Sequence, residues 1–396
     1  MSSIVKCPIC GHALTALGDY YECHTGCRVR LPENVLGNKY DILPIVVLGM
    51  STVGKSCYIG ALLNLLDKQE GNGFFWKESS LRPYNDKENP YENNDEKNLF
   101  KRYTNAYNNG LKRVVPDSTH KASADFNDDR IFNPLLIKMD FDDCDREFLG
   151  MRVSFRLFGH HFFGRKRQIL LCIRDVAGED MVNSRGKVLN DYPILRYAKA
   201  VFMMVEPQQL QGVEKLIREM IREKTGGGEE AEKLRSYLGL KRIGQGDDGV
   251  SIINLLAEIW NGYGGIRDCP LAICVSKSDT LRKLKEFNNV NNNPLFNLTS
   301  TKTCKGCVDL SDLEELNDFV KERLLYNGAS NRDLLMQLEK EFKYTCFFAV
   351  SAFGFDAIEN DDGTHRQMLR DNITSKRVLE PLLWALWQEG YLGGCE

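Results

Sequence analysis

Short continuous apolar runs, each ending in a turn-forming or charged residue, recur along this chain and alternate with stretches of helical period. Runs at 45–48, 168–176, 200–207, 270–275 and 344–350 predict strands buried on both faces, as in a mostly parallel sheet. Residues 135–141 and 151–157 predict two more strands. The sheet becomes mixed if the strand near Leu135 pairs with the one near Gln168 as an antiparallel hairpin. Helical spacing links Tyr58, Ile59, Leu62, Leu63 and Leu66, and again Val213, Leu216, Ile217, Met220 and Ile221, where Gly226, Gly227 and Gly228 end the pattern. Residues 251–260 predict a further helix. A closing apolar helix is predicted over 378–387, with Leu382, Leu383 and Leu386 on one face and Pro381 in its first turn. Trp384 and Trp387 in that helix are read as core in preference to a docking surface. Strand and helix in alternation predict a three-layer α/β domain.

Polar stretches interrupt this pattern. From 71 to 133 the chain is rich in Asn, Asp, Lys, Glu and Tyr, too polar to build a core of its own. Further inserts are expected at about 225–262 and 281–340, the second helical in its later part, with a loop at 289–293. Asp140, Asp142, Asp143, Asp145 and Glu147 lack the spacing of a calcium loop and read as a solvated turn, and His160 and His161 as surface residues. Residues 31–40 read as a linker, so the chain divides into 1–38 and 39–396.

Composition narrows the class without choosing the chemistry. A hydrophobic share of 42% and a charged share of 27% describe an ordinary globular protein, and 396 residues suffice for a large core. A net charge of -3 makes no broad electrostatic case for nucleic acid or an anionic membrane as the main partner, although a local basic patch, such as Arg28 and Arg30, stays open. No apolar run approaches the roughly 18 residues of a membrane span, and the N-terminus lacks the apolar core of a signal peptide, so a cytoplasmic location is expected.

Thirteen cysteines are many for that compartment, where disulfides are rare and paired cysteines read first as metal ligands. Cys7-Pro8-Ile9-Cys10 and Cys23-His24-Thr25-Gly26-Cys27 are separated by a hairpin-length stretch, as in a zinc ribbon. Tetrahedral Zn²⁺ would take Cys7, Cys10, Cys23 and Cys27, with His24 the alternative to Cys23. Four protein ligands leave no open position, so the metal would be structural. Cys304 and Cys307 form an isolated pair and read as free thiols in a turn.

The densest chemistry lies at Gly49-Met50-Ser51-Thr52-Val53-Gly54-Lys55-Ser56, an apolar run followed by GxxxxGKS and an amphipathic helix. This spacing lets successive backbone N–H groups curl round a β-phosphate, with Lys55 reaching the β- and γ-oxygens, Ser56 offering a hydroxyl to Mg²⁺ and the helix N-terminus facing the phosphates. The run at 168–176 ends in Asp175-Val176-Ala177-Gly178. An Asp at the end of a strand beside such a loop can anchor Mg²⁺, and the Gly178 N–H can meet a γ-phosphate. Two later strands end in Ser276-Lys277-Ser278-Asp279 and in Ser351-Ala352-Phe353-Gly354.

In chain order these four elements resemble the motif set of the Ras-like GTPases of the translation-factor class: P-loop, DxxG switch, NKxD guanine motif and SAK-type loop. The leading ribbon and the closing helix resemble, in overall layout, the bacterial double-GTPase group of conflict and defence gene clusters. The resemblance implies a Mg²⁺-dependent switch that binds GTP and GDP, hydrolyses GTP and controls a protein effector or regulator. Asp279 would accept from guanine N1 and N2, Lys277 would lie over base and ribose, and the Ala352 N–H, beside Ser351 and Phe353, would meet O6. Thr52, Val53, Gly54, Lys55, Ser56 and Cys57 would hold phosphates, with Ser56 and Asp175 placing Mg²⁺.

The sequence departs from this pattern at Ser276, where Asn is usual, and at Glu179, where many relatives carry a water-positioning Gln. Thr104 and Thr119 compete for the switch threonine, and Arg102, Arg113 and Arg130 for an internal arginine finger. Glu179 beside Lys55 and Gly178 bears on turnover, and favours a nucleotide-holding scaffold as an alternative. An ATP-hydrolysing P-loop protein, with 276–279 only a surface turn, is a second alternative.

Overall fold

The computed structural model describes residues 5–7, 10–18, 20–23, 30–32, 41–50, 53–68, 135–140, 168–177, 194–231, 267–287, 293–296, 307–325, 329–354, 358–359, 366–367 and 374–395. Near the N-terminus, β1 (Thr15–Leu17), β2 (Tyr20–Glu22) and β3 (Arg30–Pro32) pair antiparallel in sequence order. Leu31, assigned above to a linker, is instead the fully buried centre of β3. The run Arg28 to Leu31 is short, but its apolar residue has a core to enter.

The main sheet is built on β4 (Asp41–Gly49), flanked by β6 (Gln168–Ala177) and β7 (Ala200–Val205). Beyond β7 lie β8 (Leu271–Val275) and β10 (Thr345–Ala349), and beyond β6 lies β5 (Leu135–Asp140), giving the order β10-β8-β7-β4-β6-β5. Five strands run parallel. β5 is antiparallel to β6, with Leu135 opposite Ile173 and Asp140 opposite Gln168, so the sheet is mixed at that edge. Every residue of β7 and β8 is buried, which requires cover on both faces and explains why their sequences are apolar without alternation. This mixed α/β architecture with a parallel centre fits a P-loop domain.

Helices supply that cover. α1 (Lys55–Lys68) contacts β4 and seats Tyr58 edge-on against Phe202, with ring centroids 6.4 Å apart. A single turn, α2 (Ile194–Tyr197), precedes β7, and α3 (Gln211–Thr225) follows it, capped by Gly226 in the left-handed conformation at φ 65°. After β9 (Cys307–Asp309) come α4 (Leu310–Phe319), a π-helical turn over Val320–Leu325, and α5 (Ala329–Glu341). Two short strands, β11 (Ile358–Glu359) and β12 (Arg366–Gln367), precede α6 (Glu380–Gln388) and β13 (Gly393–Cys395). Trp384 of α6 is buried edge-on against Phe348 at 5.7 Å, a core role.

One expectation changes and another is filled out. The stretch 281–340, read above as a polar insert helical in its later part, also carries an apolar stripe: Leu313, Leu316, Val320, Leu324, Leu325, Leu335 and Leu338 are buried in the connection between β8 and β10. Its charged outer face masked the apolar stripe. Cys307 is not in a turn; it begins β9, which pairs in parallel with β13, a strand whose glycines gave no periodic signal. The strand passes close to two side chains at Gly394, where a Cβ would stand 2.6 Å from Leu310 Cδ1 and 3.0 Å from Trp387 Nε1. The strand at 151–157, the helix at 251–260, the stretch 71–133 and both histidines of the pair at 160–161 lie outside the described residues. No helix among the described residues is long and apolar enough to cross a membrane.

Candidate nucleotide-binding site and cysteine cluster

The C-terminal ends of parallel strands are where an open α/β sheet gathers ligand-facing loops. Here β4 ends at Gly49, β6 carries Asp175, β7 runs into Glu206, β8 into Ser276 and β10 into Ser351. Register sets their relative height: Val47 lies opposite Asp175 on one side and Phe202 on the other.

Two glycines shape the first loop. A Cβ at Gly49 would meet Val53 Cγ2 at 2.8 Å and the Met204 carbonyl oxygen at 2.9 Å, so the loop hugs β7 as it leaves β4. Gly54 has space around it but adopts φ 90°, which an L side chain rarely tolerates. Val53 is buried between them. Lys55, only 4% exposed, donates from Nζ to the carbonyl oxygens of Gly49 at 2.7 Å and Met50 at 2.9 Å. Its ammonium is thereby drawn across the curl of the loop.

Ser56 Oγ donates to Asp175 Oδ2 at 3.2 Å, across 119 positions of sequence. A hydroxyl and a carboxylate so placed are hard oxygen donors of the kind Mg²⁺ takes, so these residues fit that ion. Cys57 follows in α1; burial pushes its thiol up to about 11, and the charge of Lys277 acts the other way.

On the far side of the sheet, Ser276 is buried and spends its hydroxyl on the Val205 carbonyl oxygen at 3.2 Å. Lys277 takes a left-handed backbone, φ 49° and ψ 36°, turning the chain into the short helical segment Ser278–Lys283. Its ammonium donates to Glu206 Oε1 at 2.8 Å. Asp279 accepts a hydrogen bond from Ser351 Oγ, which in turn accepts from the Gly354 N–H at 2.8 Å. The 351–354 loop is itself clamped by the segment that follows β12. Ser351 and Lys376 exchange backbone hydrogen bonds of 3.0 and 2.8 Å, and Ser375 Oγ donates to the Ala352 carbonyl at 2.7 Å. Ala352 and Phe353 are half-buried in this turn.

Sequence reasoning missed Glu206, a carboxylate 4% exposed at the end of an apolar strand, although the charge in Val205-Glu206-Pro207 was a readable signal. It also missed the clamp at 374–376, which no local pattern marks. Thr52, Gly178, Glu179, Thr104, Thr119, Arg102, Arg113 and Arg130 lie outside the described residues.

At the N-terminus Cys7, Cys10 and Cys23 are buried, with ligand atoms all within 4.8 Å of one another. Cys10 and Cys23 Sγ are 3.4 Å apart. A tight turn holds the first pair, with the Gly11 N–H on the Cys7 carbonyl at 2.8 Å and the Cys7 N–H on the His12 carbonyl at 2.7 Å. Three converging soft donors suit Zn²⁺. His12 borders the cluster, and a hydrogen bond with Cys10 holds it above its ordinary range. Cys27 and His24 lie outside the described residues.

No protein-family model matches the sequence, and comparison with curated proteins gives no match. Among solved structures, the crystal structure of sup35 complexed with GMPPNP is similar at 11% identity and a TM-score of 0.23, over 89% of this chain and 47% of that one. This chain thus spans about half the length of that protein, and a TM-score so low defines no shared fold.

Proposed function

We propose that this chain is a guanine-nucleotide switch that binds GTP and GDP, hydrolyses GTP to GDP and phosphate with Mg²⁺, and carries a structural zinc ribbon at 1–38. The observation that supports it most is the convergence of the Gly49–Ser56 loop, Asp175, Asp279 and Ser351 at one end of the parallel strands. In this reading the backbone of Thr52 to Cys57 cradles the phosphates, and Lys55 leaves the loop carbonyls to meet the β- and γ-oxygens. Mg²⁺, when bound by Ser56 and Asp175, would neutralise charge between those phosphates.

Asp279 supplies the base selectivity. Its carboxylate, oriented by Ser351, accepts from guanine N1 and N2, and the Ala352 N–H serves O6. Gly178 orders towards the γ-phosphate, and Glu179 orients the attacking water. Its negative charge beside the γ-phosphate makes intrinsic turnover slow, and this residue favours the second reading, a nucleotide-holding scaffold. The switch would act on a protein effector or regulator, by its layout in a bacterial conflict or defence system.

Competition of a fluorescent GDP by GTP, GDP, ATP and ADP, on nucleotide-stripped protein with Mg²⁺, tests the proposal. Guanine nucleotides alone should compete in the wild type, and Asp279→Ala should lose at least tenfold of that preference, about 1.4 kcal/mol. Equal competition by adenine nucleotides would replace the guanine reading with an ATPase. Phosphate release then separates a switch from a scaffold.

A further inference from the structure

We propose that Glu206 is a positioning residue of this site: it pins the Lys277 ammonium, so that the lysine's methylene stem, and not its charge, forms a wall of the base pocket. The inference rests on the guanine reading of Ser276 to Asp279.

Three observations carry it. The Glu206 side chain is 5% exposed whereas that of Lys277 is 40% exposed, so the lysine reaches inward from the surface to a buried acid. A buried carboxylate needs a cation, and the 2.8 Å contact to Lys277 Nζ supplies one. Second, the lysine stem lies against the phosphate loop: Cε is 4.0 Å from where a Cβ on Gly54 would stand. Third, Lys277 holds a left-handed backbone that is unfavourable for a side chain with a Cβ. That conformation turns the following residues into position. The Ser278 N–H reaches the Val350 carbonyl at 3.2 Å, and Thr280 donates to the Lys277 carbonyl from N at 3.0 Å and Oγ1 at 2.8 Å. Strain of this kind persists where surrounding contacts over-determine it, and the Glu206 pair is the hydrogen bond by which the side chain takes part.

The consequence concerns charge. An untethered ammonium this close to the loop would be drawn to any polyphosphate bound there. Tethered, it leaves an apolar stem on which a purine can lie, and the loop keeps Lys55 as its phosphate cation. Glu206 therefore acts through Lys277 and needs no contact with the nucleotide.

The test is a double-mutant cycle in the full-length protein with Glu206→Gln, Lys277→Met and the pair together. Fluorescent GDP affinity and dissociation rate are read beside thermal unfolding. Glu206→Gln keeps the side chain's size and an acceptor oxygen while removing its charge. The expected result is roughly tenfold weaker GDP binding in each single variant and no further loss in the double, because both act through one contact. Glu206→Gln should also make binding more sensitive to salt, as the freed ammonium turns to the phosphates. Unchanged affinity in Glu206→Gln, or losses that multiply in the double variant, would overturn the proposal, leaving an ion pair that only joins β7 to β8. A Lys277→Arg variant that keeps the pair and restores affinity would support it. Failure of the wild type to bind guanine nucleotide would remove the base-site reading itself, an outcome distinct from wild-type binding that ignores Glu206.

Discussion

At the scale of single residues, the two loop glycines do different work. A Cβ on Gly54 would meet Lys277 Cε at an ordinary 4.0 Å, so the glycine is demanded by its φ of 90° and Gly54→Ala costs the strain of a left-handed alanine, about 1–2 kcal/mol. At Gly49 an added Cβ meets the Val53 side chain at 2.8 Å and the Met204 carbonyl of β7 at 2.9 Å, and the carbonyl cannot retreat without moving the sheet. Urea unfolding should rank Gly49→Ala as the more destabilising of the two. The reverse order would mean that the loop is not packed on β7 as described. Ser276 illustrates a smaller effect: its hydroxyl is short, and the Val205 carbonyl takes its hydrogen bond.

At the scale of elements, the 351–354 loop is steadied from behind. Arg377 is fully buried, with both terminal nitrogens on Asp312 of α4, Nη1 also 3.4 Å from Glu380 Oε1 of α6, and Nε 3.1 Å from the Pro294 carbonyl. It directly follows the segment hydrogen-bonded to Ser351 and Ala352, so one side chain ties α4 and α6 to that loop. Removing the cation strands two carboxylates, and Arg377→Met should cost about 3–5 kcal/mol in denaturant unfolding. Amide exchange at Ser351 and Lys376 should quicken with it. Protection there that is unaltered would detach the loop from the clamp. For the N-terminal sheet, strands of three residues cannot hold together on their own hydrophobic area, so metal should supply the folding energy. Metal analysis of purified protein should find about one zinc per chain, lost in Cys10→Ser together with protease resistance of residues 5–32. Equal protease resistance with and without chelator would argue against a structural metal.

At the scale of the whole molecule, the burial of thiols sets a pH limit. Cys57 is pushed up to about 11 and Cys269 to about 12, both chiefly by burial, from an ordinary value of 9.0, and Cys172, Cys274 and Cys346 are raised further. Below pH 9 these thiols are neutral whether the chain is folded or not, and their contribution is fully present. As pH rises from 9 towards 11, the unfolded chain ionises and the folded one does not, so stability falls. Each such thiol contributes a slope of about 1.4 kcal/mol per pH unit. Urea midpoints measured from pH 8 to 10.5 should drop steeply above pH 9, and Cys269→Ala should flatten part of the slope. A midpoint that stays constant over this range would place the thiols in water.

The sequence by itself determined the parallel core, because strands buried on both faces must be continuously apolar, and it marked the glycine-bounded stretch between β4 and α1, because GxxxxGKS is a local pattern. It also located the first cysteine pair and the residues that end each strand. Tertiary structure alone decided what depends on contact between distant positions: Ser56 meeting Asp175, Lys277 meeting Glu206, Ser351 meeting Asp279, and Arg377 closing on Asp312. It alone turned 310–341 from a polar stretch into a packed crossover and made a strand of Gly393–Cys395. The physical reason is one of range. Periodicity reports how a segment meets an apolar surface, whereas a hydrogen bond between side chains tens of residues apart exists only once the sheet has set their register.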